Sequence, residues 1–142
     1  MVKIEWDQKY EVGNFEIDSE HKIFIRIMQK IVCSINQKKN HKHTERLLNE
    51  MYKYADFHFY SEETVMAAIN YPGVAGHKKE HVKLLSELKN MISLVENDDN
   101  FGHMSDFIVF LANWFFDHTA NVDKKLADYL KKNKRYYLRN VG

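Results

Sequence analysis

Proline and glycine are scarce in this chain, and their scarcity favours long helices. Among the 142 residues there are one proline and five glycines. Proline removes a backbone donor and glycine destabilises a helix interior, so a chain that avoids both can sustain helices of many turns. The single proline, Pro72, is followed by Gly73, and this pair predicts a break between two such helices.

The chain also lacks excess charge, long apolar runs and more than one cysteine, and each absence excludes a class of protein. Lysine and arginine total 21 against 20 aspartates and glutamates, so we expect no binding to nucleic acid. No apolar run approaches the roughly 20 residues that span a bilayer, so we expect no membrane insertion. The one cysteine, Cys33, excludes an intrachain disulfide and is interpreted as a small core residue. Together with an N-terminus that has no apolar leader, this makes us expect a cytoplasmic protein.

What the sequence does contain is helical periodicity in four segments. Hydrophobic residues make up 44% of the chain, enough for the core of a single domain over residues 1–142. With Asp18 as the first N-cap, the periodicity predicts helices over residues 19–37, 41–70, 74–96 and 104–131. Short polar connections imply antiparallel neighbours, hence an all-α, up-down-up-down four-helix bundle. Residues 1–17 are predicted to form an extended N-terminal arm, and residues 132–142 a basic tail.

Seven polar side chains interrupt the apolar faces of these helices. They are His21, His58, Glu62, His77, His81, His118 and Asp123. A lone inward histidine is usually a hydrogen-bonded core residue, but an ionised carboxylate without a partner is costly to bury. In two of the helices these residues are spaced i and i+4 and therefore share a face. With alternating helix directions all seven fall toward one end of the bundle, and a metal site is the simplest way to satisfy them.

His118 and Asp123 do not share a face on a regular helix. Five residues at about 100° each leave them about 140° apart. To reach one site they need either long side-chain reach or a local π-type distortion of the helix. We favour the distortion.

The number and kind of these side chains predict two iron ions. Five imidazoles and two carboxylates exceed the four ligands of a zinc site, and no thiolate is present for an iron–sulfur cluster. Suppose that Glu62, Asp123 and one oxo or hydroxo group bridge both ions. Three histidines then complete the six-fold coordination of one iron. Two histidines leave the other iron with an open coordination position that dioxygen can occupy. A ligand set so rich in histidine favours reversible binding, whereas carboxylate-rich di-iron sites favour oxidation chemistry.

The same residues resemble the haemerythrin family, and within it the bacterial single-domain haemerythrins. The resemblance covers nearly the whole chain and includes Trp6 and the segments 17–22, 58–62, 77–81 and 114–123. It implies that one iron is held by His77, His81 and His118. It also implies that the iron that takes oxygen is held by His21 and His58, with Glu62 and Asp123 as bridges.

Two positions depart from the usual pattern of that family. Phe115 stands where the family usually has leucine, and Thr119 stands where it has an aliphatic residue. Phe115 precedes His118 by three residues and so shares its face, which predicts that Phe115 lines the oxygen pocket. Thr119 is predicted to add a hydroxyl near that pocket.

Two acidic residues flank the predicted ligands. Glu20 either orients a ligand imidazole or is a solvated acid in the first turn of its helix, and the sequence leaves both open. Glu63 is out of register with His58, so we expect it to be exposed.

The function predicted from these observations is reversible dioxygen binding for oxygen transport, storage or local delivery, with no catalytic residues and hence no enzyme. An oxygen or redox sensing module remains an alternative, although a chain of this length has no room for the signalling domain that such modules accompany. A di-iron peroxidase or nitric oxide-handling enzyme remains another, because an open coordination position permits both. The physiological protein partner is not predicted.

Overall fold

Helices account for most of the chain that the structure describes. The computed structural model describes residues 4–37, 41–97 and 104–133. In these ranges the elements are a 3-10 helix over Gln8–Tyr10, α1 over Phe15–Asn36, α2 over His41–Ala68, α3 over Val74–Glu96, α4 over Met104–His118, a π-helical segment over Thr119–Asp123, and α5 over Lys124–Lys132. The described residues contain no strand.

The predicted all-α four-helix bundle is confirmed. α1 packs on α2 and α2 packs on α3, while α4, the π segment and α5 follow one another as the fourth helix. None of the described helices combines the length and the apolar character that a bilayer crossing requires. The predicted basic tail lies, from residue 134 onward, outside the described residues.

The first helix begins earlier than predicted, and the prediction that Asp18 is its N-cap is wrong. Asn14 is the cap, and its side-chain oxygen accepts a hydrogen bond of 2.9 Å from the backbone N–H of Ile17. Asp18 lies inside the helix, where its carboxylate accepts from the backbone N–H groups of Val12 at 2.7 Å and Gly13 at 3.1 Å. Gly13 has a φ of 89°, a left-handed conformation that favours glycine. Asp18 therefore ties the preceding segment to α1 instead of capping the helix.

The turn between α2 and α3 fixes where the third helix starts. Asn70 adopts a φ of 52°, and the backbone N–H of Tyr71 donates to the carbonyl of Met66 at 2.9 Å, which closes a Schellman motif. A Cβ at Gly73 would lie only 2.9 Å from the Tyr71 ring, so a larger residue there would require that ring to shift. The carbonyl of Gly73 accepts from the backbone N–H of His77 in the first turn of α3.

Two apolar clusters form the core, and a polar layer lies between them along each helix. The larger cluster includes Phe24, Leu84 and Phe115, and the smaller one includes Ile17 and Leu126. On α1, for example, the chain passes from the smaller cluster through His21 to the larger one. The seven polar residues predicted to bind metal occupy this layer.

Cys33 belongs to neither cluster. It is exposed, so its interpretation as a core residue is wrong.

Candidate metal centre

The structure brings all seven predicted ligand residues together, and every one is buried. They form two overlapping groups of four, and within each group one ligand atom per residue lies within 4.8 Å of all the others. The first group is Glu62, His77, His81 and His118, and the second is His21, His58, Glu62 and Asp123. Two groups that share a carboxylate have the composition expected of a site for two neighbouring cations.

Glu62 occupies the position between the two groups. Its side chain is fully buried, and its Oε1 atom lies 3.2 Å from Nε2 of His81 and 3.5 Å from Nε2 of His58. The same oxygen is 3.9 Å from Nε2 of His77. A single carboxylate thus faces histidines of both groups.

Asp123 also faces both groups, one oxygen to each. Its Oδ1 lies 3.2 Å from Nε2 of His77 and 3.3 Å from Nε2 of His118, while its Oδ2 lies 3.2 Å from Nε2 of His21. The predicted helix distortion is confirmed, because the residues from Thr119 to Asp123 form a π-helical segment. A π turn closes over five residues, so it brings Asp123 onto the face of His118.

The atoms that converge in this layer lack hydrogen-bonding partners. The orphaned atoms include Nε2 of His77, His81 and His118 and all four carboxylate oxygens of Glu62 and Asp123. An unpartnered buried polar atom costs about 1–3 kcal/mol, and one that is left without a partner calls for an explanation. Cations within the layer would satisfy them, and a donor set of imidazoles and carboxylates without thiolate fits iron.

Burial holds the imidazoles in the state that binds metal. It lowers the pKa of His58 well below its ordinary value, and the neighbouring histidines lower it further. Burial, together with His77 and His118, lowers the pKa of His81 to about 2. Both rings are therefore neutral at physiological pH, and neutral imidazole is the form that coordinates a metal ion.

The pKa values of Glu62 and Asp123 shift in opposite directions in this layer. Burial and the neighbouring Asp123 raise the pKa of Glu62 well above its ordinary value. For Asp123 burial also acts to raise the pKa, but His118, His21 and His77 outweigh it and bring the pKa well below the ordinary value. A cation bound beside Glu62 would take the place of the proton that burial favours there.

Two further carboxylates face the outer nitrogens of the histidines. Oε2 of Glu63 lies 3.2 Å from Nδ1 of His81, with 26% of the Glu63 side chain exposed, so the expectation of an exposed Glu63 is wrong. Glu20 is buried, with Oε1 at 3.6 Å from Nδ1 of His58 and Oε2 accepting from the Ser61 hydroxyl at 2.8 Å. A carboxylate that is hydrogen-bonded to the outer nitrogen of a ligand ring fixes its orientation, and Glu63 meets this condition, whereas the 3.6 Å from Glu20 to His58 is too long for a hydrogen bond. Because Glu20 is buried, its interpretation as a solvated acid is wrong, and the orienting interpretation stays a prediction.

Aromatic rings enclose the histidines from the side of the larger apolar cluster. The ring of Phe59 stacks on His81 with centroids 4.0 Å apart, and Trp114 lies parallel to His118 at 6.2 Å. Phe115 is only 4% exposed and meets the His21 ring edge-on at 5.6 Å. These rings make the surroundings of the polar layer apolar and exclude bulk water from it.

Comparison with known proteins gives one family throughout. The family model described as "Hemerythrin HHE cation binding domain" matches residues 12–130. A bacteriohemerythrin of Clostridium acetobutylicum is 25% identical over 129 residues, which cover 87% of this chain and 98% of that protein. One of the hemerythrin subunits of Sipunculus nudus is 28% identical, with 88% and 92% of the two chains covered. A myohemerythrin of Riftia pachyptila is 24% identical, with 84% and 88% covered.

Proposed function

The chain belongs to the haemerythrin family, and on that premise we propose that it binds dioxygen reversibly at an oxo- or hydroxo-bridged pair of iron ions. The role that fits is oxygen transport, storage or local delivery. The observation that carries the proposal is the pair of overlapping four-residue groups that share Glu62. We further propose a cytoplasmic location, which rests on the use of a single cysteine.

The residues divide between the two ions unequally. His77, His81 and His118 would hold one ion, His21 and His58 the other, and Glu62 and Asp123 would hold both. The ion beside His21 then has one protein ligand fewer and keeps an exchangeable position. When bound, the iron pair supplies that position and the electrons that dioxygen takes up and returns.

The chain's own residues keep this chemistry reversible. The rings of Phe59, Trp114 and Phe115 exclude water, which protects the site from proton-driven side reactions. Glu63 is hydrogen-bonded to the outer nitrogen of His81 and holds the orientation of that ring, and Glu20 faces the outer nitrogen of His58. None of these groups is placed to donate protons to a substrate, so binding fits better than catalysis.

The deciding experiment is an oxygenation cycle on the iron-loaded protein. Metal analysis should give two irons per chain, and a single zinc per chain would contradict the proposal. The anaerobically reduced protein should change its visible absorption spectrum on exposure to air and recover it when the gas is removed. A change that runs in one direction only would contradict reversible binding and favour an enzyme or a redox sensor.

A further inference from the structure

Thr119 carries a buried hydroxyl that nothing in the described chain satisfies. Its side chain is 3% exposed, and its Oγ1 atom has no hydrogen-bonding partner. A threonine within a helix ordinarily donates to the carbonyl four residues earlier, as Thr64 does to Tyr60 at 3.0 Å. Thr119 makes no such hydrogen bond, although its backbone is also helical.

Thr119 lies on the fourth helix close in sequence to two residues that contact His21. It follows Phe115 by four residues, a spacing at which residues of an α-helix share a side, and it begins the π-helical segment that ends at Asp123. Phe115 meets the His21 ring at 5.6 Å, and Oδ2 of Asp123 lies 3.2 Å from Nε2 of the same ring. Thr119 is therefore a buried residue between two positions of the chain that both contact His21, a member of the group His21, His58, Glu62 and Asp123.

Thr119 also lines a cavity on the side of the segment before α1. It lines this cavity, of about 360 Å³, together with Tyr10 and Val12 of the segment before α1 and with Phe116 of α4. Lys9, Glu11 and Lys124 line the same cavity, and the amino group of Lys124 lies 3.3 Å from Oδ1 of Asp128. Oγ1 itself is buried, so it does not face this cavity. Thr119 is thus a wall between the cavity and the polar layer.

We propose that the Thr119 hydroxyl donates a hydrogen bond to a small exogenous ligand, dioxygen or an anion, at the ion held by His21 and His58. The proposal rests on the proposed function, because it takes that ion to keep an exchangeable position. A buried donor with no competing partner is available to such a ligand without first breaking another bond. Thr119 accordingly sets how tightly and in which orientation the ligand binds.

The test compares Thr119→Val, which keeps the shape and removes the hydroxyl, with Thr119→Ser, which keeps the hydroxyl. Azide serves as the probe, titrated into the oxidised iron-loaded full chain. Loss of a hydrogen bond to a charged ligand should weaken azide binding about ten-fold or more in Thr119→Val, whereas Thr119→Ser should remain near the original protein. The antisymmetric azide stretch should shift between H₂O and D₂O in the original protein and in Thr119→Ser, but not in Thr119→Val.

Iron content and thermal unfolding separate a role in ligand binding from a structural one. Thr119→Val should retain iron and unfold no earlier than the original protein, because the hydroxyl has no partner to lose. Thr64→Val is the matched control, since its hydroxyl is exposed and bonded to the backbone, and azide affinity should not change there.

The outcomes distinguish this inference from the proposed function. Equal azide affinity and an unchanged infrared shift in Thr119→Val would overturn the inference, as would loss of iron or stability in that variant. Failure of the original protein to bind a pair of irons would overturn both. Original protein that binds iron and azide as expected but does not return dioxygen would overturn the proposed function and leave Thr119 in its role.

Discussion

Removing the Phe115 ring should open the metal centre to water and small anions without removing a ligand. The ring is 4% exposed, meets His21 edge-on at 5.6 Å and stacks on Phe24 with centroids 5.1 Å apart. It therefore covers the histidine of the ion that we propose to keep an exchangeable position. In Phe115→Ala that cover becomes a cavity lined by apolar groups, and in Phe115→Leu part of the volume remains filled.

The stability cost of this substitution follows from its burial. Truncating a well-packed phenylalanine to alanine costs about 3–5 kcal/mol, because apolar contacts are lost and a cavity remains. Phe107 is fully buried in the same cluster and helix, about 12 Å from Phe115 along the helix axis at 1.5 Å per residue. Phe107→Ala should lose a similar amount of stability and is the matched control for unfolding.

The assay is stopped-flow mixing of the oxygenated protein with azide. Displacement by azide and spontaneous oxidation should be fastest in Phe115→Ala, intermediate in Phe115→Leu and slowest in the original protein, while Phe107→Ala should match the original. Equal rates in all four proteins would mean that Phe115 is ordinary core. An equal acceleration in Phe107→Ala would mean that lost stability, and not an opened pocket, is the cause.

Three further predictions concern two carboxylates, Glu62 and Glu63, and the partly buried phenol of Tyr54. Glu62→Gln should lose iron, whereas Glu50→Gln on the exposed face of the same helix should keep it, and equal iron retention would contradict the role of Glu62. Glu63→Gln should weaken iron binding at least ten-fold in a chelator competition, because the His81 ring loses its orienting carboxylate; unchanged affinity would contradict this. Burial, with a smaller effect of Glu20, raises the pKa of Tyr54 to about 12, so the folded chain keeps a proton that the unfolded chain loses near pH 10. The stability contribution of this phenol is therefore present below pH 10 and lost as pH rises toward 12, and denaturant unfolding should show a smaller alkaline loss in Tyr54→Phe.

The sequence predicts the ends of a helix well where neighbouring residues determine them. It predicts them less well where the cap depends on contacts with residues farther along the chain. α3 matches its predicted span, because Pro72 and Gly73 precede it and a polar run follows it. At the start of α1 both Asn14 and Asp18 are good capping residues, and local rules do not choose between them. Asp18 does not cap the helix, because its carboxylate accepts hydrogen bonds from the segment before α1. These hydrogen bonds form only in the folded chain.

Errors about single residues have two different sources. The usual burial of cysteine predicts Cys33 in the core, although it lies two residues, about 200°, from the buried Ile31 and so points away from the core. The register of Glu63 with His58 on the same helix predicts a surface position. Its contact is with His81 on the neighbouring helix, and no spacing along one helix encodes that contact.

The convergence of the seven polar residues is predictable because six of them form pairs that are each local to one helix and His21 lies near the start of another, and the π segment follows from the same reasoning. His118 and Asp123 are misaligned on a regular helix, yet the oxygens of Asp123 face histidines of both groups. Each buried atom of the polar layer that lacks a hydrogen-bonding partner destabilises the fold by about 1–3 kcal/mol, while a whole domain is stable by only about 5–15 kcal/mol. Cations in the layer would remove this cost, so we expect folding to be coupled to metal binding. Phe115 and Thr119 lie outside that coupling because neither supplies a ligand atom, so these two positions can change ligand affinity while the seven ligand residues stay fixed.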